Sequence, residues 1–546
     1  MGKVKKKSKN LHSPNDKSAV KPIVKPTVKG LVVGKDISNA ISSGSLPSGS
    51  NGSNSIFQLS PIYDLLHYFE KAPDQWEARY VLVMSAIILR AAVGLGDYSG
   101  KGNPPMYGDF EAQRHWMELT INLPVSDWYY FDLQYWGLDY PPLTAFHSYL
   151  LGIIGNFLNS TWFALNDSRG IENNQIKTFM RYLSLLSEMI FYIPGILTIT
   201  NVLGKKFRLN RMDQIVIACL IINQPHLILI DHGHFQYNSI MLGFFIYSFI
   251  ELVKGRLILA SIWFICCINF KQMGLYYSTF IFVFILSQLK SFQHLISIGF
   301  AVIISQLVIL IPFINNPKNL LQILYRVFPF NRGLFEDKVA NFWCTTNIII
   351  KYKQIIDSQQ LSRLSLIATV LSILPINLVL FYKLRYSKNL VPGLIYGFIG
   401  NSMAFYLFSF QVHEKSILIP LIPSTLVMLI DPKLIDIVQW INNVGTFSLY
   451  PLLKKDGLIL QYFVCSFLIN WLIGYKLLLK NRNWIWNLII KGSYLLMVIY
   501  HIIDYKFDPP TKYPDLWVIL NCTISFMAFS LFWLWSYLQV YKLKIE

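Results

Sequence analysis

Asp109, Glu111, Arg114, His115, Asp127, Asp132 and Asp139 fall within the stretch Gly96–His147, interleaved with tryptophans, tyrosines and phenylalanines. Carboxylates beside aromatic rings suit the grip of a sugar. The rings stack on its apolar faces, the carboxylates accept hydrogen bonds from its hydroxyls, and one carboxylate can take a proton. The stretch follows the first long apolar run and is too polar for hydrocarbon. It therefore belongs to a wet site at a membrane surface, or to a cap that only covers the helices. Asp109 follows Gly108 at the start of a helical pattern, where it serves either as an N-cap or as a well-placed general base. Asp139 precedes Pro141 and Pro142, which stiffen the start of the next helix; it either caps that helix or binds sugar hydroxyls.

Three further clusters carry chemistry. Asp231, His232, His234, Gln236 and Asn238 lie between apolar runs, where polar groups are expensive unless functional or paired. His232 and His234 do not make a metal site, because no third ligand has suitable spacing. Lys271 is a lone charge in an apolar run, expected to meet a carboxylate or a phosphate. Within Arg326–Trp343, Arg326, Arg332 and Lys338 suit a phosphate, and Glu336 and Asp337 suit sugar hydroxyls; a salt-bridged loop is the alternative. In Phe410–Ser416, His413 is placed to meet an anionic leaving group, with Lys415 to neutralise it, unless His413 simply caps a helix end.

The elements that position these residues are helices in a membrane. The chain of 546 residues is 53% hydrophobic, with a mean hydropathy of +0.41. Apolar runs near spanning length recur along it, and irregular backbone is costly in hydrocarbon, so the runs predict an all-α polytopic membrane protein. The net charge of +18 is concentrated in the N-terminal tail and in short loops. That is how topology signals are distributed, and it argues against nucleic acid as a partner. The six cysteines show no metal-ligand spacing and predict neither a zinc site nor a disulfide framework.

In order, the sequence predicts a disordered basic cytosolic tail over 1–55 and an interfacial amphipathic segment over 56–78. A first membrane module follows over 79–314, with a lumenal loop at 97–142. A second lumenal loop covers 315–361, and a C-terminal membrane module covers 362–546. About 14 transmembrane helices with both ends cytosolic fit the basic loops, provided that 143–158 does not cross; a single broken helix over 257–290 is the rival reading. No cleavable signal peptide is expected before the first span. Asn159 and Asn166 begin acceptor sequons that matter only on the lumenal side.

The stretches YGDFEAQRHW, QYWGLDYPPLTAFHSYLLG, DHGHFQYNS, FKQM, FPFNRGLFEDKVANFW and FSFQVHEKSILIP together resemble the dolichyl-phosphate-glucose-dependent glucosyltransferases of the endoplasmic reticulum, from about residue 57 to the C-terminus. FEDKVANFWC resembles the branch that adds the first glucose rather than the sister branch that adds the second. The resemblance implies a GT-C fold, a lumenal site, dolichyl-phosphate-glucose as donor and a nine-mannose oligosaccharide on dolichyl diphosphate as acceptor. It also implies α-1,3 transfer with inversion and no metal or other cofactor. Chemistry and resemblance together assign Asp109 as the base. His413, then Lys415, Arg332 and Lys338, are set against the leaving phosphate. Asp139, Glu336, Glu111, Arg114, Tyr140, His234 and Gln236 are set against the sugars. The sister enzyme, a lipid or sugar transporter, and a structural subunit of a membrane complex are the alternatives.

Overall fold

The computed structural model describes residues 55–68, 76–328, 338–479 and 483–545. The basic tail up to residue 54, Arg332, Glu336 and Asp337, and the basic segment at 480–482 lie outside the described residues. Among the described residues there are helices and turns but no strand, so the protein is all-α.

Seven helices among the described residues are long and apolar enough to cross a membrane by themselves, from Asn174–Lys206 to Leu516–Lys542. Shorter apolar helices join them at Asn238–Val253, Leu257–Phe270, Gln272–Ser287 and Ile459–Ile473. Helix lengths therefore do not reproduce the expected count of fourteen. The reason is that several apolar runs are broken. The run 257–290 parts at Lys271, whose backbone is extended (φ −147°, ψ 122°). The runs 415–431 and 434–453 split into Leu418–Thr425, Val427–Ile430 and Ile435–Ser448, which are buried within the body rather than facing lipid.

The first described helix, α1 (Pro61–His67), begins where the Ser60 hydroxyl accepts from the Tyr63 N–H and proline occupies the first turn. It lies within the amphipathic segment expected over 56–78, of which residues 69–75 lie outside the described residues. Its apolar face, Ile62 and Leu66, packs into the main core rather than onto an interface.

Helices α2 (Trp76–Gly94), α5 (Asn174–Lys206) and α6 (Arg211–Ile222) meet around a buried ion pair. Arg90 on α2 grips Glu188 on α5 with two bonds of 2.7 Å, and a third reaches the Ile222 carbonyl at the end of α6. His232 adds a 2.5 Å contact to the same carboxylate. A charge buried this deeply persists only when paired, so the cluster fixes where α6 ends. Beyond α6 the chain passes Pro225–Ile228 and enters a π-helical turn, Leu229–Phe235. Such turns are rare and recur at functional sites; this one carries Asp231, His232 and His234.

Helices α3 (Gly108–Asn122) and α4 (Pro142–Leu158) lie against each other. Gly152 allows the close approach, since a Cβ there would stand 2.9 Å from the Met117 carbonyl. At 1.5 Å per residue α4 is about 25 Å long, short of a hydrocarbon layer of about 30 Å.

The stretch 97–142 and the second polar stretch form one cap rather than two separate loops. Trp116, Trp128, Tyr129 and Leu138 share a core with Phe313, Ile323 and Val327. The helix Pro317–Val327 lies beneath the cap. Gln322 donates to the Tyr129 carbonyl, and Arg326 donates to the carbonyls of Gly137 and Leu138. Arg326 thus fastens the Trp136–Asp139 loop.

Candidate active site

Asp109 sits in the first turn of α3. It is not the N-cap: that position belongs to Tyr107, in the left-handed region at φ 59°. Gly108 follows at φ 74°, and a Cβ on it would lie 2.8 Å from the Gly100 backbone. The loop 97–107 doubles back through this contact. Ser99 then accepts from the Asp109 N–H at 3.2 Å, and its own N–H donates to the His234 carbonyl at 3.0 Å. The start of α3 is thereby stitched to the π-helical turn. Gly108→Ala combines a left-handed φ with a backbone clash and is expected to cost about 1–3 kcal/mol. It should also displace Asp109, which a lowered melting temperature together with reduced activity would reveal.

One oxygen of Asp109 gathers three side chains. Lys415 Nζ is 2.5 Å from Oδ2, His234 Nε2 is 3.0 Å away, and the Gln236 amide donates to the same atom. Each partner is itself held. His234 Nδ1 lies 2.5 Å from Asp456. Lys271 Nζ donates to Gln236 Oε1 at 2.9 Å and to Asn238 Oδ1 at 2.7 Å, which turns the Gln236 amide nitrogen toward Asp109. Asn238 donates onward to Asp231 at 2.9 Å. Lys271 therefore meets amide oxygens rather than a carboxylate; it also lines the cavity that opens over this cluster and lies 4.8 Å from the Tyr140 ring centroid. Burial pushes the Asp109 carboxyl up, but Lys415 and His234 outweigh it and hold the group well below the usual carboxylate range.

A cavity of about 690 Å³ opens over this cluster. Asp109, Asp139, Tyr140, His234, Gln236, Lys338, His413 and Lys415 all line it, with Trp116 and Trp136 as further aromatic wall. Eight of the sequence-assigned residues, more than 300 positions apart at the extremes, thus converge on one space. Asp139 does not cap α4, whose cap is Pro141 with no side-chain bond. Lys338 stands at the rim, paired with Asp515.

Glu111 and Arg114 do not reach the cavity. Arg114 is fully buried and bonds Glu111 and Glu118, each at 2.6 Å, as well as Ser168 and the Trp162 carbonyl. Tyr135 closes the cluster on Glu111 at 2.9 Å. The sugar contacts assigned to these two residues give way to an ion-paired brace along α3, with every charged group already partnered. Among the described residues, no group of His, Cys, Asp and Glu side chains is arranged to hold a metal ion.

The residue that sequence reasoning missed is Asp456. It stands in a Lys-Lys-Asp-Gly turn that reads as a solvated helix end. Only the fold brings it to His234, 222 positions away.

Residues 86–535 match the ALG6, ALG8 glycosyltransferase family. The chain belongs to that family. Its all-helical membrane body is accordingly a GT-C glycosyltransferase body. Among ALG6, ALG8 family relatives, the dolichyl pyrophosphate Man9GlcNAc2 alpha-1,3-glucosyltransferase of Saccharomyces cerevisiae is 47% identical over 523 residues, covering 89% of this chain and 95% of its own. The Gallus gallus protein of the same name is 37% identical, covering 84% and 96%. A probable enzyme of that name from Arabidopsis thaliana is 38% identical, covering 82% and 86%.

Proposed function

We propose that this protein transfers glucose from dolichyl-phosphate-glucose to the terminal mannose of a dolichyl-diphosphate Man9GlcNAc2 oligosaccharide, in α-1,3 linkage and with inversion. The acceptor and linkage are those in the names of its relatives. The observation that carries the chemistry is Asp109: an ionised carboxylate facing a cavity walled by tryptophan and tyrosine, with cationic side chains from a distant segment beside it.

The step is an in-line displacement. A mannose hydroxyl attacks the glucose anomeric carbon, Asp109 takes the hydroxyl proton, and the bond from that carbon to the phosphate oxygen breaks, so that dolichyl phosphate leaves as an anion. Lys415 explains how so acidic a carboxylate can act as a base. It neutralises Asp109 while the site is empty. A donor phosphate entering beside His413 competes for that ammonium, and drawing Lys415 away restores basicity to Asp109 as the leaving group is stabilised. Lys338 at the rim extends the cationic side. Asp139, Tyr140, Trp116 and Trp136 offer the sugar-facing surface, and no metal is called for.

His234 and Asp456 orient the base. Asp456→Asn keeps an acceptor for the imidazole but removes its charge. It should lower kcat about tenfold with little change in KM, and shift the pH–rate profile, which loss of packing alone would not do. The decisive assay combines purified protein, synthetic dolichyl-phosphate-glucose and lipid-linked Man9GlcNAc2, with the product linkage determined. Transfer only onto an acceptor already carrying one glucose would assign the sister activity instead.

We place the cavity on the lumenal side of the endoplasmic reticulum membrane. The half-buried Asn159, whose side chain accepts from Thr161 of its own sequon, and the exposed Asn166 lie in the same cap as α3. Endoglycosidase should reduce the mass of the native protein; an unchanged mass in cells that glycosylate this sequon efficiently counts against that side.

A further inference from the structure

Behind the π-helical turn, on the face opposite the reacting cavity, α2 and α5 enclose a second cavity of about 350 Å³. Arg181 on α5 lines it, with its guanidinium carbon 5.5 Å from the Phe235 ring centroid. One guanidinium nitrogen, Nη2, is spent on the carbonyls of Asp97 and Gly233, at 3.0 and 2.7 Å. The other two nitrogens, Nε and Nη1, are buried and have no hydrogen-bond partner among the described residues. Buried guanidinium N–H groups without acceptors are costly and rare, and in a membrane protein such a group marks a site. Lys177 stands on the rim; among the described residues it donates to the Leu95 carbonyl at 3.1 Å and lies 6.0 Å from the Tyr98 ring centroid. Among the described residues, no acidic side chain lines the space. Arg90 and His232, which also border it, are already committed to Glu188.

We propose that this cavity binds the phosphate headgroup of a membrane lipid other than the reacting donor. Each of the two free nitrogens can donate to a phosphate oxygen, and the neighbouring ammonium supplies a second charge. The mouth of the cavity is apolar and outward-facing: Leu95 is 82% exposed and Tyr182 65% exposed, continuing into Ile88 on α2 and Leu186 on α5. Lipid chains lie along that face while the headgroup reaches Arg181. The reacting phosphate does not fit this position. It is one bond from the transferred sugar and must lie in the cavity of Asp109, whereas the turn carrying His234 separates the two spaces. A bulk anionic phospholipid and the polyprenyl diphosphate of the acceptor share the required chemistry.

The test uses full-length protein in phosphatidylcholine nanodiscs, with melting temperature and lipid retention by native mass spectrometry as readouts, so it stands independently of glucosyl transfer. Short-chain phosphatidic acid, a polyprenyl diphosphate and inorganic phosphate are titrated into wild type, Arg181→Lys, Arg181→Gln and Lys177→Gln. One of the two lipids should stabilise wild type and Arg181→Lys and bind about tenfold more weakly to Arg181→Gln, the loss expected for one charge-assisted contact. Lys177→Gln, at the rim, should show a smaller loss in the same direction, and it decides the matter if Arg181→Gln does not fold. Preference for phosphatidic acid identifies a phospholipid site; preference for the diphosphate identifies the acceptor's carrier. The proposal is overturned if neither lipid affects wild type, if the glutamine variants respond as wild type does, or if inorganic phosphate alone matches the lipids.

Discussion

Asp109→Asn leaves the helical body assembled and lowers glucosyl transfer by about 10²–10⁴-fold, the usual contribution of a positioned general base. Asparagine keeps the shape of the side chain and can still accept from Lys415 through its remaining oxygen. What it loses is the negative charge that Lys415, His234 and Gln236 converge upon, and with it any capacity to take the mannose proton. The loss should fall on kcat rather than on donor affinity, because the cationic side of the cavity is untouched. The check is single-turnover transfer by purified variant and wild type, with circular dichroism on both. Transfer at near wild-type rate by a folded variant would remove Asp109 from the mechanism.

Arg114→Met tests the reassignment of α3's inner face and should be the most destabilising single change considered. It strands Glu111 and Glu118, two carboxylates bonded to one guanidinium in a space with almost no solvent access. Breaking a buried ion pair from one side costs about 3–5 kcal/mol. Burial pushes Glu118 up, but His115 and Arg114 overcome it and bring the carboxyl down to about 2. The stabilisation from a lowered carboxylate is complete above its unfolded value, about 4.3, and is lost as pH falls toward 2. The gap in melting temperature between wild type and variant should therefore be full at neutral pH and narrow through that window. A well-folded variant with a raised acceptor KM would instead restore the sugar contact first assigned to Arg114.

The cavity residues were legible because they break a pattern. Asp109, His234, Gln236, His413 and Lys415 are polar groups beside apolar runs, and the fold brings them to one space. Which of them touch was not legible. Lys415 is set against a phosphate by the sequence, yet among the described residues it pairs with Asp109, 306 positions away. Glu111, Arg114 and Glu118 carried their own warning. Their three- and four-residue spacing already favours ion pairs along a helix, which competes with any role in a cavity. The number of spans was hard to read because hydropathy measures apolar length, whereas turns such as the one at Lys271 are set by packing. The π-helical turn has no sequence signal comparable to a proline or a cap; the buried Arg90–Glu188 pair holds it, and that pairing spans 98 positions.

The shared core of the cap has a consequence for biosynthesis. A nascent chain that has reached only the end of α6 already exposes Asp109 and the aromatic loop, but the helix that props up Trp136 and Asp139 has yet to be made. The ammonium that quiets Asp109 and the acid that steadies His234 emerge later still, at residues 415 and 456. Ribosome-bound intermediates therefore carry an unneutralised cleft, and catalytic competence arrives as a late maturation event rather than segment by segment.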